Sequence, residues 1–395
     1  MTNQSTEFIP FSKPQLGALE EEAVLKVLRS GWLTTGPQTQ AFEEEFAAFL
    51  KVSHALAVNS CTSGLHLALV ALGLGIGDKV AVPTWTFAAT AEVVRYVGAE
   101  VVLIDIEPNS PQMDMDLLEA QLAADPQIRG VIVVHFAGAP VNFARLLELK
   151  SIYGFSLIED CAHAFPVTVT HSQTGLPVSL GTLGDIGVFS FYANKTLTTG
   201  EGGMMVTSRP ELAQTLKQLR LHGINRDAFD RFQSKSVAAW DYQIAQVGYK
   251  YNMPDLAGAL GRVQLKRAPE LLTRRREIAA EYYKALSSLD WCTLDPWTDE
   301  HSWHLFTLQL VPNARSWNRD QLIAELNQEG IGTSVHYRPL HLMEYYRKRY
   351  NLQPEDFPRS CQRFLQTLSL PFSSYLTDEQ IQRVLSTLVN LGSRL

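Results

Sequence analysis

Between residues 55 and 158 the chain alternates short apolar runs with stretches long enough for a helix, and no other feature narrows its fold as much. The runs at 55–58, 80–82, 101–104, 131–134 and 156–158 are apolar rather than alternating, the pattern of strands buried on both faces of a parallel sheet. The stretches between them, 63–73, 86–97, 115–123 and 142–153, each suit the crossover helix that a parallel strand pair requires. An α/β fold is therefore predicted, with a large, open, mostly parallel and doubly wound sheet. Beyond residue 255 the rhythm changes to a long helix containing Arg274, Arg275 and Arg276, one strand-like run over 303–311, a helix near 319–329 and a closing helix near 378–391. These elements predict a large α/β domain, residues 1–255, and a smaller C-terminal α+β domain, residues 256–395. The arginine triplet reads as a solvated helix face.

Upstream of the first run, Leu16, Leu19, Ala23, Val24, Val27 and Leu28 recur at helical spacing, and a second helix carries Phe42, Phe46 and Phe49 on one face. Between them, Gly31-Trp32-Leu33-Thr34-Thr35-Gly36-Pro37 is too rich in turn formers for a helix. The segment 167–180 reads as a hairpin around Thr174-Gly175, and 226–240 as a mobile surface loop.

With 395 residues, 46% of them hydrophobic, the chain can fill a large core. Lys and Arg total 34 against 41 Asp and Glu, a net charge of −7 that argues against nucleic-acid binding. An anionic substrate would need local positive groups. The four cysteines lie far apart without a C-x-x-C pair, so neither a disulfide framework nor a zinc knuckle is indicated and the cytoplasm is the expected compartment. No apolar run approaches the roughly 18 residues of a membrane span, and the N-terminus lacks the basic and apolar regions of a secretory signal. No membrane partner is expected. Nor is a metal: H-E-x-x-H is absent, and His336 and His341 have no acidic companion nearby in sequence.

Ligands of open α/β sheets bind outside the carboxyl ends of the strands. The first run is followed by Asn59-Ser60-Cys61-Thr62-Ser63-Gly64 and a helix; hydroxyls and free N–H groups at a helix start suit a phosphate, although the same residues are ordinary helix caps. After the second run comes Pro83-Thr84-Trp85-Thr86-Phe87, whose aromatic rings can sandwich a planar ligand or simply pack. The fifth is followed by Glu159-Asp160-Cys161-Ala162-His163, and two acids after an apolar strand are costly unless paired. A further strand beginning at Ile186 leads into a polar loop with Lys195 and the turn Thr199-Gly200-Glu201-Gly202-Gly203. Taken singly, Lys195 is a surface lysine and His163 a hydrogen-bonded structural residue. Together, a lysine, a strand-end acid, an aromatic and a hydroxyl-rich helix start match what pyridoxal phosphate requires: an amine for a Schiff base, a partner for the ring nitrogen, a stacking surface and a phosphate cup.

From Pro10 to about residue 390 the sequence resembles the DegT/DnrJ/EryC1/StrS family of sugar aminotransferases, a branch of the fold-type I pyridoxal-phosphate enzymes. The resemblance rests on residues 30–37, 59–64, 159–164, Phe189-Ser190-Phe191 with Lys195, 198–203, and Gly248-Tyr249-Lys250-Tyr251-Asn252-Met253. It implies that Lys195 carries the cofactor, Asp160 pairs with the pyridine nitrogen and Phe87 stacks on the ring with His163 beside it. Thr62, Ser63 and Ser190 would bind the phosphate, and Asn252 would reach it from the second subunit of a homodimer. Catalysis would then fall to Lys195, Asp160 and His163. A carboxylate at Asp160 keeps the ring nitrogen protonated and the ring an electron sink, and the amine of Lys195, once displaced by the incoming amine, can carry the proton.

Three other readings compete. A sugar dehydratase of the same family is expected to carry histidine where this chain has Lys195. A Rossmann oxidoreductase needs G-x-G-x-x-G after the first strand, where the turn after Val58 has one glycine. A non-catalytic regulator that kept the fold would purify colourless. The resemblance implies a nucleotide-linked keto-sugar substrate with glutamate as amino donor, and amino-sugar production for a polysaccharide or an antibiotic. Residues 135–140, 221–231, 248–252, 303–306 and 331–338 look most like the branch that makes UDP-4-amino-4-deoxy-L-arabinose. Amination at C4 of a UDP- or dTDP-linked sugar is thus the first expectation, and C3 amination of a dTDP-3-keto-6-deoxyhexose the alternative. Trp32, Thr34, Arg226, Lys250, His336 and Arg338 are the expected substrate contacts.

Overall fold

The computed structural model describes residues 7–171, 174–224 and 242–394; the expected loop 226–240, with Arg226, lies outside the described residues. The first five strands are β1 (His54–Val58), β2 (Lys79–Pro83), β3 (Glu100–Ile104), β4 (Ile128–Val134) and β5 (Ser156–Asp160). After them come β6 (Thr168–Thr170), β7 (Pro177–Ser179), β8 (Ile186–Ser190) and β9 (Gly203–Thr207). Seven of these nine make one sheet in the order β1-β9-β8-β5-β4-β2-β3. Helices Cys61–Ala71, Ala89–Tyr96, Met115–Ala124 and Phe143–Tyr153 supply the crossovers between the first five. Their starts carry side-chain caps from Ser60, Asp114 and Asn142, the one exception being Ala89–Tyr96. One strand departs from the parallel pattern: β9 runs antiparallel to both β8 and β1. The chain between β8 and β9 holds no helix, and without a crossover the second strand returns in the opposite direction. The strand β5 also runs two residues further than its apolar run, so Glu159 and Asp160 lie within it. Glu159 is tolerated there because its oxygens take the N–H groups of Gly181 (2.9 Å), Leu183 (2.8 Å) and Gly184 (2.5 Å) and face His135.

The expected hairpin is present as the antiparallel pair β6 and β7. A second, antiparallel sheet is built from β10 (Cys292–Leu294), β11 (Thr307–Leu310) and β12 (Thr367–Ser369). The run expected over 303–311 is a strand only from Thr307, because Trp303 adopts a left-handed conformation with φ 52° and turns the chain aside. The 32-residue helix Asp255–Leu286 links the two layers: Leu265 and Ala268 pack under the large sheet, whereas Ile278, Ala279, Tyr282 and Leu286 join the core of the small one. The chain crosses between these cores more than once, since Ile9 lies in the small core and Leu340 and Tyr346 in the large one. Among the described residues no helix is long and apolar enough to cross a membrane.

The amphipathic helix expected near the N-terminus is present, and one other expectation needs correcting. The helix α1 (Ala18–Ser30) does not bury its apolar stripe against this chain: Leu19 is 63% exposed, and Leu16 and Leu28 about half, with only Val27 of the stripe buried. It is held instead through Glu20, buried and bonded to Gln264 and Arg267 of the long helix. Of the arginine triplet, Arg276 is exposed and Arg274 partly so, as expected of a solvated face, but Arg275 is not. Arg275 is 2% exposed, on the same helical stripe as Leu271, Ile278, Ala279 and Tyr282. By contrast, the helix α2 (Pro37–Leu50) buries Phe42 and Phe46 fully, leaving Phe49 at the rim.

Candidate active site

The strands β5 and β8 lie side by side and parallel, so their carboxyl ends open on the same edge of the sheet. Asp160 ends β5 and is 5% exposed. One of its oxygens accepts the Ala162 N–H (3.1 Å) and the other the Thr90 hydroxyl (3.0 Å). Burial pushes this carboxyl above its ordinary value, while those two bonds and the nearby charges of Lys195 and His135 hold it back. Lys195 sits in the loop after β8, half-buried. Burial draws its amine down to about 8, the Arg275 charge adding to the effect and Cys61 and Asp160 opposing it. An amine so placed is partly neutral near physiological pH and able to act as a nucleophile.

His163, in the turn after β5, is buried and kept neutral by desolvation, with the Lys195 charge adding. Its Nδ1 accepts the Ala137 N–H at 3.2 Å, so the ring proton belongs on Nε2, which faces the Tyr337 hydroxyl at 3.2 Å. Phe87 stands 58% exposed beside the Tyr337 ring, its centroid 5.5 Å away. Beneath, Ser60 caps the helix that starts at Cys61, and the Ser63 hydroxyl donates to Asn59 Oδ1 at 2.7 Å. The first turn of that helix offers free N–H groups at its positive end. Gly203 lets β9 approach this turn, because a Cβ there would meet the Cys61 nitrogen at 2.8 Å. Ser190 closes the group at the end of β8. Amine, carboxylate, exposed ring and helix start thus surround one strand edge, an arrangement that fits a planar, phosphate-bearing ring whose nitrogen meets Asp160.

The other expected residues are distributed less evenly. His336 is buried, its Nδ1 2.9 Å from the Ser369 hydroxyl, and burial with the Lys195 charge lowers it to about 4. Arg338 is exposed and makes no ion pair with a described residue. Asn252, Lys250, Trp32 and Thr34 gather elsewhere, around the start of the long helix. Asn252 donates to the Thr35 hydroxyl (2.6 Å), Lys250 donates to Asn252 Oδ1 (2.7 Å), and the Trp32 indole donates to the Thr35 carbonyl (3.2 Å). The carbonyls of Leu33 and Thr34 accept the Asp255 N–H, and Asp255 in turn caps α2 through Gly36 and Thr39. Gly36 is needed there, since a Cβ would meet the Trp32 indole nitrogen at 2.1 Å. Among the described residues no hydrogen bond links this group to Lys195 or Asp160. The Tyr249–Asn252 segment also has a use within its own sheet: Asn252 bridges Val58 at the sheet edge, and Tyr249 and Tyr251 pack on His66.

Sequence reasoning missed four residues at this edge. His304 brings Nε2 to 3.3 Å from the Lys195 amine, Arg275 clamps the backbone that carries His304, Tyr337 joins Phe87 to His163, and Thr90 holds Asp160. His304 and Tyr337 fall in the segments 303–306 and 331–338 already singled out, though without a role, and the place of Arg275 on the apolar stripe of its helix was a sign of its burial. His135, Glu159 and Cys161 offer ligand atoms within 4.8 Å of one another, but Glu159 is committed to the 181–184 turn described above.

A model of the DegT/DnrJ/EryC1/StrS aminotransferase family matches residues 14–389. The spore coat polysaccharide biosynthesis protein SpsC of Bacillus subtilis is 40% identical over 389 residues, covering 98% of this chain and 97% of that protein. The putative sugar aminotransferase Spr1654 from Streptococcus pneumoniae superposes in its PMP-form with a TM-score of 0.88 at 30% identity, covering 98% of this chain and 99% of that one; its PLP-form gives 0.87. Helicobacter pylori PseC, an aminotransferase involved in the biosynthesis of pseudoaminic acid, superposes with a TM-score of 0.88 at 27% identity over 98% of this chain and all of the other.

Proposed function

The chain belongs to the DegT/DnrJ/EryC1/StrS aminotransferase family, and from that premise we propose that it moves an amino group from glutamate to C4 of a UDP- or dTDP-linked 4-keto sugar. That it is a pyridoxal-phosphate-dependent sugar aminotransferase follows from the family and its structural neighbours. The observation that carries our assignment of the site is the placement at one sheet edge of a buried carboxylate, Asp160, and the amine of Lys195, drawn down to about 8. When bound, the cofactor supplies a protonated ring that draws electrons from the carbon losing its proton. Asp160 holds the ring nitrogen's proton, Phe87 and His163 flank the ring, and Thr62, Ser63 and Ser190 hold the phosphate beside the helix start. Lys195 carries the cofactor and, when free, takes and returns the substrate proton at Nζ. Choice of C4 rests on the likeness of residues 135–140, 221–231, 248–252, 303–306 and 331–338 to the 4-keto-sugar branch. The likeness to SpsC supports a polysaccharide as the destination of the amino sugar. Incubating the purified protein with glutamate and a panel of 3-keto and 4-keto nucleotide sugars, with products read by mass spectrometry, tests this. We expect amination of a 4-keto sugar; amination of only the 3-keto substrates would replace C4 by C3.

We further assign the protein to the cytoplasm, read it as the two domains 1–255 and 256–395, and propose a homodimer with shared sites. The exposed apolar stripe of α1, beside the Trp32–Asn252 group, supports that assembly. In it, Asn252 and Lys250 complete the partner's site, while Trp32, Thr34, Arg226, His336 and Arg338 meet the nucleotide-sugar. Its diphosphate needs fixed cations in a chain of net charge −7. Mixing inactive Lys195→Ala with inactive Asn252→Ala subunits should then recover part of the activity, because some hybrids hold one intact site. No recovery after demonstrated subunit exchange would place Asn252 within its own subunit's site.

A further inference from the structure

We propose that His304 is a positioning residue, which donates its Nε2–H to the Lys195 amine and fixes that amine in place whenever it is not bonded to the cofactor. The inference rests on the reading of Lys195 as the cofactor lysine, and it starts from how firmly the imidazole is held. His304 follows Trp303 in its left-handed conformation and faces Ala137, another non-glycine residue at positive φ (59°). Such backbone outliers persist only where the surroundings enforce them, and they gather at functional sites. Here the Ala137 carbonyl accepts the N–H groups of His304 (3.0 Å) and Leu305 (3.2 Å). From the other side, Arg275 donates to the carbonyls of Trp303 (2.9 Å) and His304 (3.4 Å). The His304 ring is 4% exposed and lies on the His163 ring with centroids 4.4 Å apart.

The position of its single proton follows from what surrounds its two nitrogens. Burial, with the Lys195 charge adding, keeps the ring neutral. Nδ1 is buried and has no hydrogen-bond partner among the described residues, whereas Nε2 lies 3.3 Å from Lys195 Nζ. A proton on Nδ1 would leave a buried N–H without an acceptor, an arrangement that folded proteins rarely tolerate. On Nε2 it meets the lone pair of a neutral amine, and only a bare ring nitrogen is left unpaired. The groups facing Lys195 are Asp160 from β5, Cys61 from the helix after β1, Arg275 from the long helix, and His163 and His336 from two loops. Asp160 and Cys61 favour the ammonium form, while burial and Arg275 oppose it. The His304 donor joins the second set. It orients the lone pair that is to receive the substrate proton, and because an ammonium has no lone pair to offer it, a proton taken up at Nζ is readily passed on.

Competitive acetylation of the cofactor-free full-length protein, followed across pH by mass spectrometry of the Lys195 peptide, reads the titration of that amine directly. His304→Phe keeps a buried ring but no nitrogen, and it should raise the midpoint so that the neutral fraction near pH 7 falls about 3- to 10-fold. His304→Gln, whose amide can donate from a similar place, should restore most of it. An unchanged or lowered midpoint in His304→Phe overturns the proposal, the lowered one meaning that the imidazole accepts from an ammonium instead. Should His304→Phe not fold, nitrogen-15 NMR of histidine-labelled wild type decides, with the His304 signals assigned by their loss in His304→Gln: a protonated Nε2 is expected and a protonated Nδ1 overturns the assignment. Borohydride reduction of the cofactor-loaded protein separates the two readings. A pyridoxyl group on any lysine other than Lys195 removes the premise, whereas a label on Lys195 with no effect of His304→Phe removes this inference alone.

Discussion

Replacing Lys195 by alanine should leave a protein that binds pyridoxal phosphate non-covalently and transaminates roughly 10⁴-fold more slowly or worse, because one side chain serves both as tether and as proton carrier. The state of the amine suits it to both tasks. Burial draws Lys195 from the ordinary lysine value of 10.5 to about 8. At pH 7.5 about a quarter of such amines are neutral, against about 0.1% of unperturbed ones. The neutral fraction rises with pH through about 8, so labelling of Lys195 by an amine reagent in the cofactor-free protein should climb over that interval while solvated lysines lag by some two units. Borohydride treatment of the yellow wild-type protein, followed by peptide mapping, should place the pyridoxyl group on Lys195. Wild-type rates in Lys195→Ala, or a label on Lys217 or Lys250, would remove the assignment.

The second large effect is expected at Asp160. Asparagine fills the same space and can still accept the Ala162 N–H, and the Thr90 hydroxyl, now bonded to the carboxylate, can rotate to accept from the new amide. The fold should therefore survive Asp160→Asn with its melting temperature nearly unchanged. Lost is the negative charge that holds a proton on the ring nitrogen, and the rate should fall by about 10²- to 10³-fold, as when a single preorganised electrostatic partner is removed. Burial pushes the Asp160 carboxyl up, and the bonds from Ala162 and Thr90, with the charges of Lys195 and His135, oppose that rise. Stopped-flow absorbance of each half-reaction, set beside thermal unfolding, distinguishes the outcomes. A rate loss matched by a comparable loss of stability would make Asp160 structural.

Much of this was legible in the order of residue types along the chain. Apolar runs without alternation marked the parallel strands, and their carboxyl ends directed attention to Asn59–Gly64, Asp160 and the loop of Lys195. A buried acid at a strand end is rare enough to be informative on its own. Local pattern, however, carries no information about which way a strand runs once it enters the sheet, so the reversal of β9 became visible only with the absence of a helix between β8 and β9. At α1 the regular apolar stripe predicted an amphipathic helix, which is present, yet the structure leaves Leu16, Leu19 and Leu28 open. Periodicity reports that a face is apolar, not what covers it.

The sequence by itself determined the α/β class, the order of the elements and the presence near strand ends of an amine, a carboxylate and a hydroxyl-rich helix start, because these depend on short-range pattern and on the chemistry of single residues. Tertiary structure alone decided which distant segments meet at that edge. His304 lies 109 positions from Lys195 and reaches it through a left-handed residue at Trp303 and a clamp from Arg275. Neither a lone histidine nor the middle of an arginine triplet announces such a role, since the charge state of each is set by burial and by partners that come together only when the two layers pack.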